Sequence, residues 1–483
     1  MTKPTMPNDY PSGSFGDEVP DAAPVALLAD LDRAGVSYGV SASERAAHGR
    51  DWWPLSILEV ANGHVPHWPG VVVAPRSTSE VSAVLRIASD HCTAVTAQGG
   101  RSGVVGGAVA PTGGIALDLT GLNRIVSIDE ISGTVNVEAG TFGPELESYV
   151  KDRGWTVGHF PQSFELATVG GWIACRGAGQ YSNRYGKIED IVRGLTVVLA
   201  NGDVIELGGR GPRQAVGPDL MQLFIGCEGT LGIITEATLA MHPVAPYEQR
   251  AAYGFDTFAG GLEACRRIMQ RDARPTVLRL YDETETLRNF EVPHCALVVL
   301  DEGDQLLVEA TMEIVRRECA QASVLDQSLV ATWIAHRNDV SALAPLWEHG
   351  IVVDTIEVAG PWSTLPDMRE KVVAALSAID GMLAVSVHQS HAYIDGACLY
   401  FTFAGKPEGD HTAFYRRAWD EASRTVLTCG GSLSHHHGIG RNRARFVPEA
   451  LASAYPLLVS QKAVFDPLNI LNPGALGIGG ASW

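Results

Sequence analysis

Apolar residues recur at helical spacing over Val25 to Ala34, the first stretch of the chain that predicts an amphipathic helix. Val71 to Ala74 is a short apolar run closed by Pro75, the pattern of a buried strand. Ser77, Thr78 or Ser79 can cap a helix running to Ser89, with Glu80 in its first turn. Thr93 to Ala97 is strand-like and runs into a glycine cluster at Gly99, Gly100, Gly103, Gly106 and Gly107. Short apolar runs then follow at Ile115 to Leu119, Ile125 to Ile128 and Thr134 to Glu138, so strands, not a helix, are predicted after the cluster. Pro144 to Arg153 predicts a helix with proline in its first turn. Val192 to Leu199 and Val204 to Leu207 flank Asn201-Gly202, which predicts a type I′ hairpin. Gly232 to Met241 predicts a strand that stops at Pro243.

From Tyr253 the pattern alternates. Leu262 to Gln270, Leu306 to Cys319 and Tyr415 to Leu427 have helical spacing, while Ala296 to Leu300 and Leu399 to Phe403 are strand-like. This predicts an antiparallel sheet covered by helices, and an α+β fold overall. The expected organisation is a disordered tail over 1–24, a helical segment over 25–64, one unit over 65–245 and a second over 246–475.

A chain of 483 residues is long enough for two or three domains. Its 36 Lys and Arg against 55 Asp and Glu leave a net charge of −19, which argues against nucleic acid as the main partner. A local basic pocket for an anionic substrate remains compatible with that balance. The 8 cysteines form no CxxC pair, so reduced thiols and a cytoplasmic protein are expected, with no metal site. No apolar run of about 18 residues predicts a transmembrane helix.

Five motifs carry candidate chemistry. Thr96 to Gly107 (TAQGGRSGVVGG) can bring backbone amides close to phosphate oxygens, although a structural turn explains it equally well. His159 to Trp172, followed by Cys175 to Ala178, supplies hydroxyls and glycines suited to a pyrophosphate, or simply turn chemistry. Glu228 to Gly232 (EGTLG) sits at a strand entry, where glycines admit a flat ligand or a bulge. His391 to Phe401 contains Tyr393 beside the Asp395-Gly396 turn; a tyrosine transfers protons if its pKa of about 10 is lowered. Ser432 to Gly440 (SLSHHHGIG) has its three histidines in consecutive positions. That is neither the alternation of a strand face nor the i, i+4 spacing of a helical zinc pair, so proton handling fits better than metal binding. No P-loop and no HExxH is present.

These motifs, in this order over residues 70–475, resemble the alkylglycerone-phosphate (alkyldihydroxyacetonephosphate) synthases, FAD-linked oxidases of the vanillyl-alcohol-oxidase type. The resemblance implies a two-part FAD-binding domain over 65–245 and a substrate-binding cap over 246–475, with 430–475 returning to the flavin. It places FAD's pyrophosphate on Thr96, Gly99, Gly100, Arg101, Ser102 and Gly103, on Gln162, Ser163, Thr168, Gly170 and Gly171, and on Cys175, Arg176 and Ala178. The flavin ring is placed against Glu228, Gly229, Thr230, Gly232, Ile233 and Ile234. FAD is expected to be non-covalent, because a histidine in the first glycine loop is the usual attachment point and 96–107 has none. Tyr393 matches the family's proton-transferring tyrosine, and His435, His436 and His437 its essential triplet.

The implied reaction exchanges the acyl group of an acyl-dihydroxyacetone phosphate for a long-chain alcohol through an adduct on the flavin N5. A lipid-like substrate, peripheral membrane contact and a homodimer go with it. The chain departs from the family at three points. Gln98 to Ser102 reads QGGRS, nearer to flavin-dependent 2-hydroxyacid dehydrogenases. His388 stands where the family has an arginine five residues before the tyrosine. A second family arginine falls near Leu343, where Arg337 substitutes only with a shift. Arg337 and His388 are thus the candidate substrate grips, His388 only when protonated. The alternatives are an FAD-dependent dehydrogenase or oxidase of a 2-hydroxy acid or alcohol, and a non-catalytic flavin-binding protein. The first of these lacks the dehydrogenases' HxxGDxNxH pattern.

Overall fold

The computed structural model describes residues 18–339, 346–347 and 349–480; Leu343 and the tail up to residue 17 lie outside them. The first helix runs over Val25–Ala34, where Leu27 and Leu31, one turn apart, are buried. It ends at Gly35, whose φ of 69° closes the last turn in the left-handed region. Part of the expected tail is tied down: Arg45 donates to the carbonyls of Pro20 and Asp21 at 2.9 and 3.1 Å.

Three sheets organise the chain. In the first, Val71–Val73, Ile115–Asp118 and Val95–Gln98 are parallel, and Tyr38–Gly39 pairs antiparallel with Val71–Val73. The parallel arrangement needs a crossover, supplied by the helix Thr78–Asp90, which Ser77 caps by accepting from Glu80 N. The second sheet is antiparallel, in the order Ile125–Asp129, Thr134–Glu138, Ile233–Ala240, Val192–Val198 and Val204–Gly208. Val198 and Ile233 share a core with Val81, Val84 and Leu85 of the crossover helix, so the two sheets sandwich it.

The hairpin at 199–203 is present, but its turn differs from the predicted one. Gly202 has a φ of 82°, whereas Asn201 is absent from the positive-φ residues. Asn201 Oδ1 accepts from Asp203 N at 3.0 Å, and this Asx turn holds Asn201 out of the left-handed region that type I′ requires.

The third sheet is antiparallel and seven-stranded: Ser323–Leu325, Tyr247–Phe255, Cys295–Gly303, Val277–Tyr281, Met382–Ala392, Gly396–Gly405 and Val352–Pro361. Helices Phe258–Gln270, Gln305–Glu318, Leu365–Ser377 and His411–Thr428 cover one face. Strand alternation sorts the side chains. Leu278, Leu280, Val387, Leu399 and Phe401 point into the helix-covered core. Their neighbours Arg279, Tyr281, His388, Tyr400 and Thr402 therefore fall on the other face. Register aligns three of these directly, since Tyr281 pairs with His388 and His388 with Tyr400.

The chain then returns to the first sheet. Val95 N donates to Ile470 O at 2.7 Å, and Asn472 N to Val95 O at 2.8 Å. Among the described residues no helix is long and apolar enough to cross a membrane.

Candidate active site

The polar face of the third sheet meets the glycine loops around a cavity of about 550 Å³. A larger hollow of about 950 Å³ beside Pro20 to Pro24 gathers no histidine on its walls. On one side of the smaller cavity lie residues from 97–108, 159–180 and 227–234; on the other lie His388, His391, Tyr400, His436 and His437.

The glycines divide into two kinds. A Cβ on Gly99 would lie 2.3 Å from Thr168 Oγ1, and one on Gly100 only 1.6 Å from the Leu166 carbonyl. These two exist so that the loops can touch. Around Gly103 and Gly229 the nearest atoms are 3.9 and 3.5 Å from such a Cβ, so here the open space faces the cavity. Several buried polar atoms on the same walls have no hydrogen-bond partner among the described residues: Trp52 Nε1, Arg101 Nε, Gln180 Oε1 and both ring nitrogens of His159. A cradle open at glycines and ringed by unpaired polar atoms fits a long, polar cofactor.

Most of the expected contact residues reach this wall: 99–103, Gln162, Ser163, Thr168, Gly170, Gly171, Cys175, Ala178, Glu228, Gly229 and 232–234. Three do not. Thr96 lies buried in its strand. Arg176 turns outward to Glu189 at 3.3 Å. Thr230 Oγ1 is spent on the Cys227 carbonyl at 2.7 Å.

Two carboxylates pin the histidine loop. Glu228 accepts from Ile439 N at 2.6 Å and Gly440 N at 2.8 Å; burial pushes its carboxyl up to about 7. Glu357 accepts from His435 N at 2.6 Å, His437 N at 2.8 Å, Ser434 Oγ at 2.5 Å and Arg443 at 3.0 Å. Burial alone would raise Glu357, but Arg443 and the histidines overrule it and hold it well below the usual carboxylate range. Burial drives His435 and His436 to about 3 and His437 to about 4, so all three rings are neutral at physiological pH.

A run of hydrogen bonds crosses the site. Tyr393 Oη meets Ser182 Oγ at 3.1 Å, and Ser182 Oγ meets His391 Nδ1 at 2.8 Å. His391 Nε2 meets Tyr400 Oη at 3.0 Å, Tyr400 Oη meets His436 Nε2 at 3.1 Å, and His436 Nδ1 meets His435 Nδ1 at 3.1 Å. A bulge in its strand, with φ 51° at His391, aims that ring into the run. Burial raises the Tyr393 and Tyr400 phenols above their ordinary value. The condition under which Tyr393 would transfer protons as a lowered phenol is therefore not met, and both phenols stay protonated. The ligating atoms of His391, His435 and His436 fall within 4.8 Å of one another, a convergence that spacing along the loop did not suggest.

The two expected substrate grips behave differently from their reading. Arg337 stacks over Tyr181 at 4.7 Å and is not on the cavity wall among the described residues. His388 is on the wall, but burial and then Arg279 lower it to about 4, so it is no cation near neutrality. Sequence reasoning missed Arg279, Glu357 and Ser182. The available signal was a charged residue inside an apolar strand, as in Val277–Tyr281 and Val352–Pro361.

Residues 69–208 match the FAD binding domain family and 245–476 the C-terminal domain of FAD linked oxidases. The chain is 32% identical over 431 residues to the uncharacterized FAD-linked oxidoreductase YgcU of Escherichia coli K12, spanning 84% of this chain and 89% of that one. It is 29% identical to the alkyldihydroxyacetonephosphate synthase of Dictyostelium discoideum, over 87% of this chain and 75% of the relative. A solved alkyldihydroxyacetonephosphate synthase superposes with a TM-score of 0.80 at 25% identity, covering 95% of this chain and 87% of the other.

Proposed function

The chain belongs to the FAD-linked oxidase family, and from that footing we propose that it is an FAD-dependent oxidoreductase acting on a small hydroxylated substrate. The observation that carries this reading is His437. It lines the cavity, it is neutral near pH 7, and among the described residues neither of its ring nitrogens has a hydrogen bond. His436, by contrast, has both nitrogens engaged.

The glycine loops and the Glu228 segment would hold FAD, which when bound supplies the acceptor for the hydrogen and two electrons leaving a carbinol carbon. His437 takes the hydroxyl proton at a ring nitrogen, in general-base fashion. Glu357, 3.9 Å from His437 Nδ1, stabilises the imidazolium that results. Tyr400, fixed between His391 and His436, offers a phenolic hydroxyl that stays protonated and keeps the neighbouring rings in place. Arg279, Glu285, Thr355 and Thr402 stand on the cavity wall beside the apolar Trp347 and Val353, so a small hydroxylated molecule would find polar partners there.

A second reading is acyl-for-alkyl exchange on a dihydroxyacetone phosphate. It is favoured by Tyr393, which matches the synthases' tyrosine and joins the hydrogen-bonded run through Ser182. Anaerobic rapid mixing separates the two. Flavin bleaching by 2-hydroxy acids, slowed at least about 10²-fold in His437→Ala, supports oxidation. Alcohol incorporation from an acyl-dihydroxyacetone phosphate without net bleaching supports exchange. Neither response with any substrate overturns both.

A further inference from the structure

Arg279 sits mid-strand, on the face opposite Leu278 and Leu280, and borders the cavity. Its Nη2 lies 2.6 Å from His388 Nε2, while His388 Nδ1 lies 3.0 and 3.1 Å from the two oxygens of Glu285. A neutral imidazole bonded to a carboxylate through Nδ1 keeps its proton there and accepts at Nε2. The guanidinium is therefore the donor to His388, and the histidine is its support. Glu285 is in turn met by Arg288 at 3.2 Å, so its charge is shared between that direct partner and the more distant Arg279.

No carboxylate of the described residues lies within ion-pair distance of Arg279, and its Nε is buried without a partner. The rings of Tyr281 and Tyr400 flank it at 5.3 and 5.7 Å, which eases its burial without neutralising it. A buried charge calls for a counter-charge. Beside Tyr400 and His436 the cavity wall thus carries a guanidinium that, among the described residues, meets no carboxylate directly and feels Glu285 only across His388.

We propose that Arg279 is the anion-recognition residue of this cavity: positioned by His388, it takes one oxyanion of the substrate, a carboxylate or a phosphate group. The proposal rests on reading the cavity as the substrate site of an FAD-dependent enzyme. It names a residue on a strand distant in sequence from both grips that the sequence suggested.

The test is calorimetric titration of the FAD-loaded protein with oxalate and, separately, with inorganic phosphate. Cofactor loading keeps the probes out of the pyrophosphate cradle. One probe is expected to bind at a single site, oxalate marking a carboxylate site and phosphate a phosphate-ester site. Arg279→Met should weaken that binding about ten- to a hundredfold. Arg279→Lys, which keeps the charge but loses the fork, should weaken it severalfold, as should His388→Asn through positioning. Failure of both probes to bind wild type overturns the proposal. So does unchanged binding in Arg279→Met, or in Arg279→Lys should the methionine variant not fold. A loss seen only in Arg288→Met also overturns it.

Calorimetry needs no turnover, so the two ideas fail separately. Variant-insensitive binding with intact flavin reduction removes Arg279 alone. Arg279-dependent binding without flavin reduction removes the oxidation reading alone.

Discussion

Glu357→Gln keeps the shape of the side chain and removes the carboxylate that balances Arg443, both residues being fully buried. The glutamate accepts from three loop amides at 2.6, 2.8 and 3.4 Å, from Ser434 and from Arg443. An amide can accept at one atom only, so at least one of these donors must face its NH₂ group. Removing one partner of a buried ion pair costs about 3–5 kcal/mol. Because glutamine retains one acceptor, the lower end applies, and a loss of about 3 kcal/mol at pH 7 is expected.

The pH dependence has a definite sign. A carboxylate held below its ordinary value stabilises the fold fully above the unfolded pKa of about 4.3, and that contribution disappears as pH falls through the lower folded value. The stability gap between wild type and Glu357→Gln should therefore be constant from pH 8 to about 5 and close only below about 4. Urea unfolding at saturating FAD, followed by tryptophan fluorescence across that range, measures the gap. A gap under about 1 kcal/mol at pH 7, or one that shrinks between pH 8 and 6, would refute the reasoning.

Tyr400→Phe should retain FAD and slow flavin reduction about tenfold, less than His437→Ala, by loosening His391 and His436; Tyr393→Phe should leave flavin reduction within severalfold of wild type yet abolish any acyl-for-alkyl exchange, as product analysis would show. The acid limb that His437 gives to flavin reduction should lie near pH 4, below any step from Glu228 near 7; an acid limb near 6.5 that persists in Glu228→Gln would assign the base elsewhere. Gly103→Val should fold with a near-normal melting temperature but bind FAD at least about tenfold more weakly, whereas Gly100→Ala should lower the melting temperature, as parallel FAD titration and thermal melts would report. Acid precipitation should leave FAD in the supernatant, and flavin retained in the pellet would contradict a non-covalent cofactor.

Local pattern was enough where one face decides the structure. Val25–Ala34 was legible because Leu27 and Leu31 repeat at one turn and Gly35 closes the helix. Thr134–Glu138 was legible as a short alternating run. The glycine loops were legible as places, but not in their roles. Whether a glycine admits a ligand or a neighbouring loop depends on what approaches it, and Gly100 is approached by the Leu166 carbonyl. Arg279 and Glu357 were invisible for a related reason. Each is a charged residue in a largely apolar strand, Glu357 sharing its strand with Asp354, and its meaning comes from partners distant in sequence, His388 in one case and Arg443 in the other. His388 itself was misjudged because its reference pKa was applied to a ring that the fold buries between a guanidinium and a carboxylate.

The histidine loop is held at its two ends by different parts of the chain. Glu357, from the large sheet, binds the amides of 435–437; Glu228, from the segment before Ile233–Ala240, binds those of Ile439 and Gly440. The backbone that carries His437 is thus held between a carboxyl group of the large sheet and one of the cofactor-side loops, with its ring nearer the former. That arrangement fixes the imidazoles relative to both at once, which a loop anchored to one sheet could not do. It also accounts for burying two carboxyl groups, Glu357 held ionised and Glu228 pushed up to about 7, where an apolar loop would be less costly. Each carboxylate takes up several loop amides that would otherwise be unsatisfied, and Glu357 in addition places negative charge where a proton taken by His437 would need it.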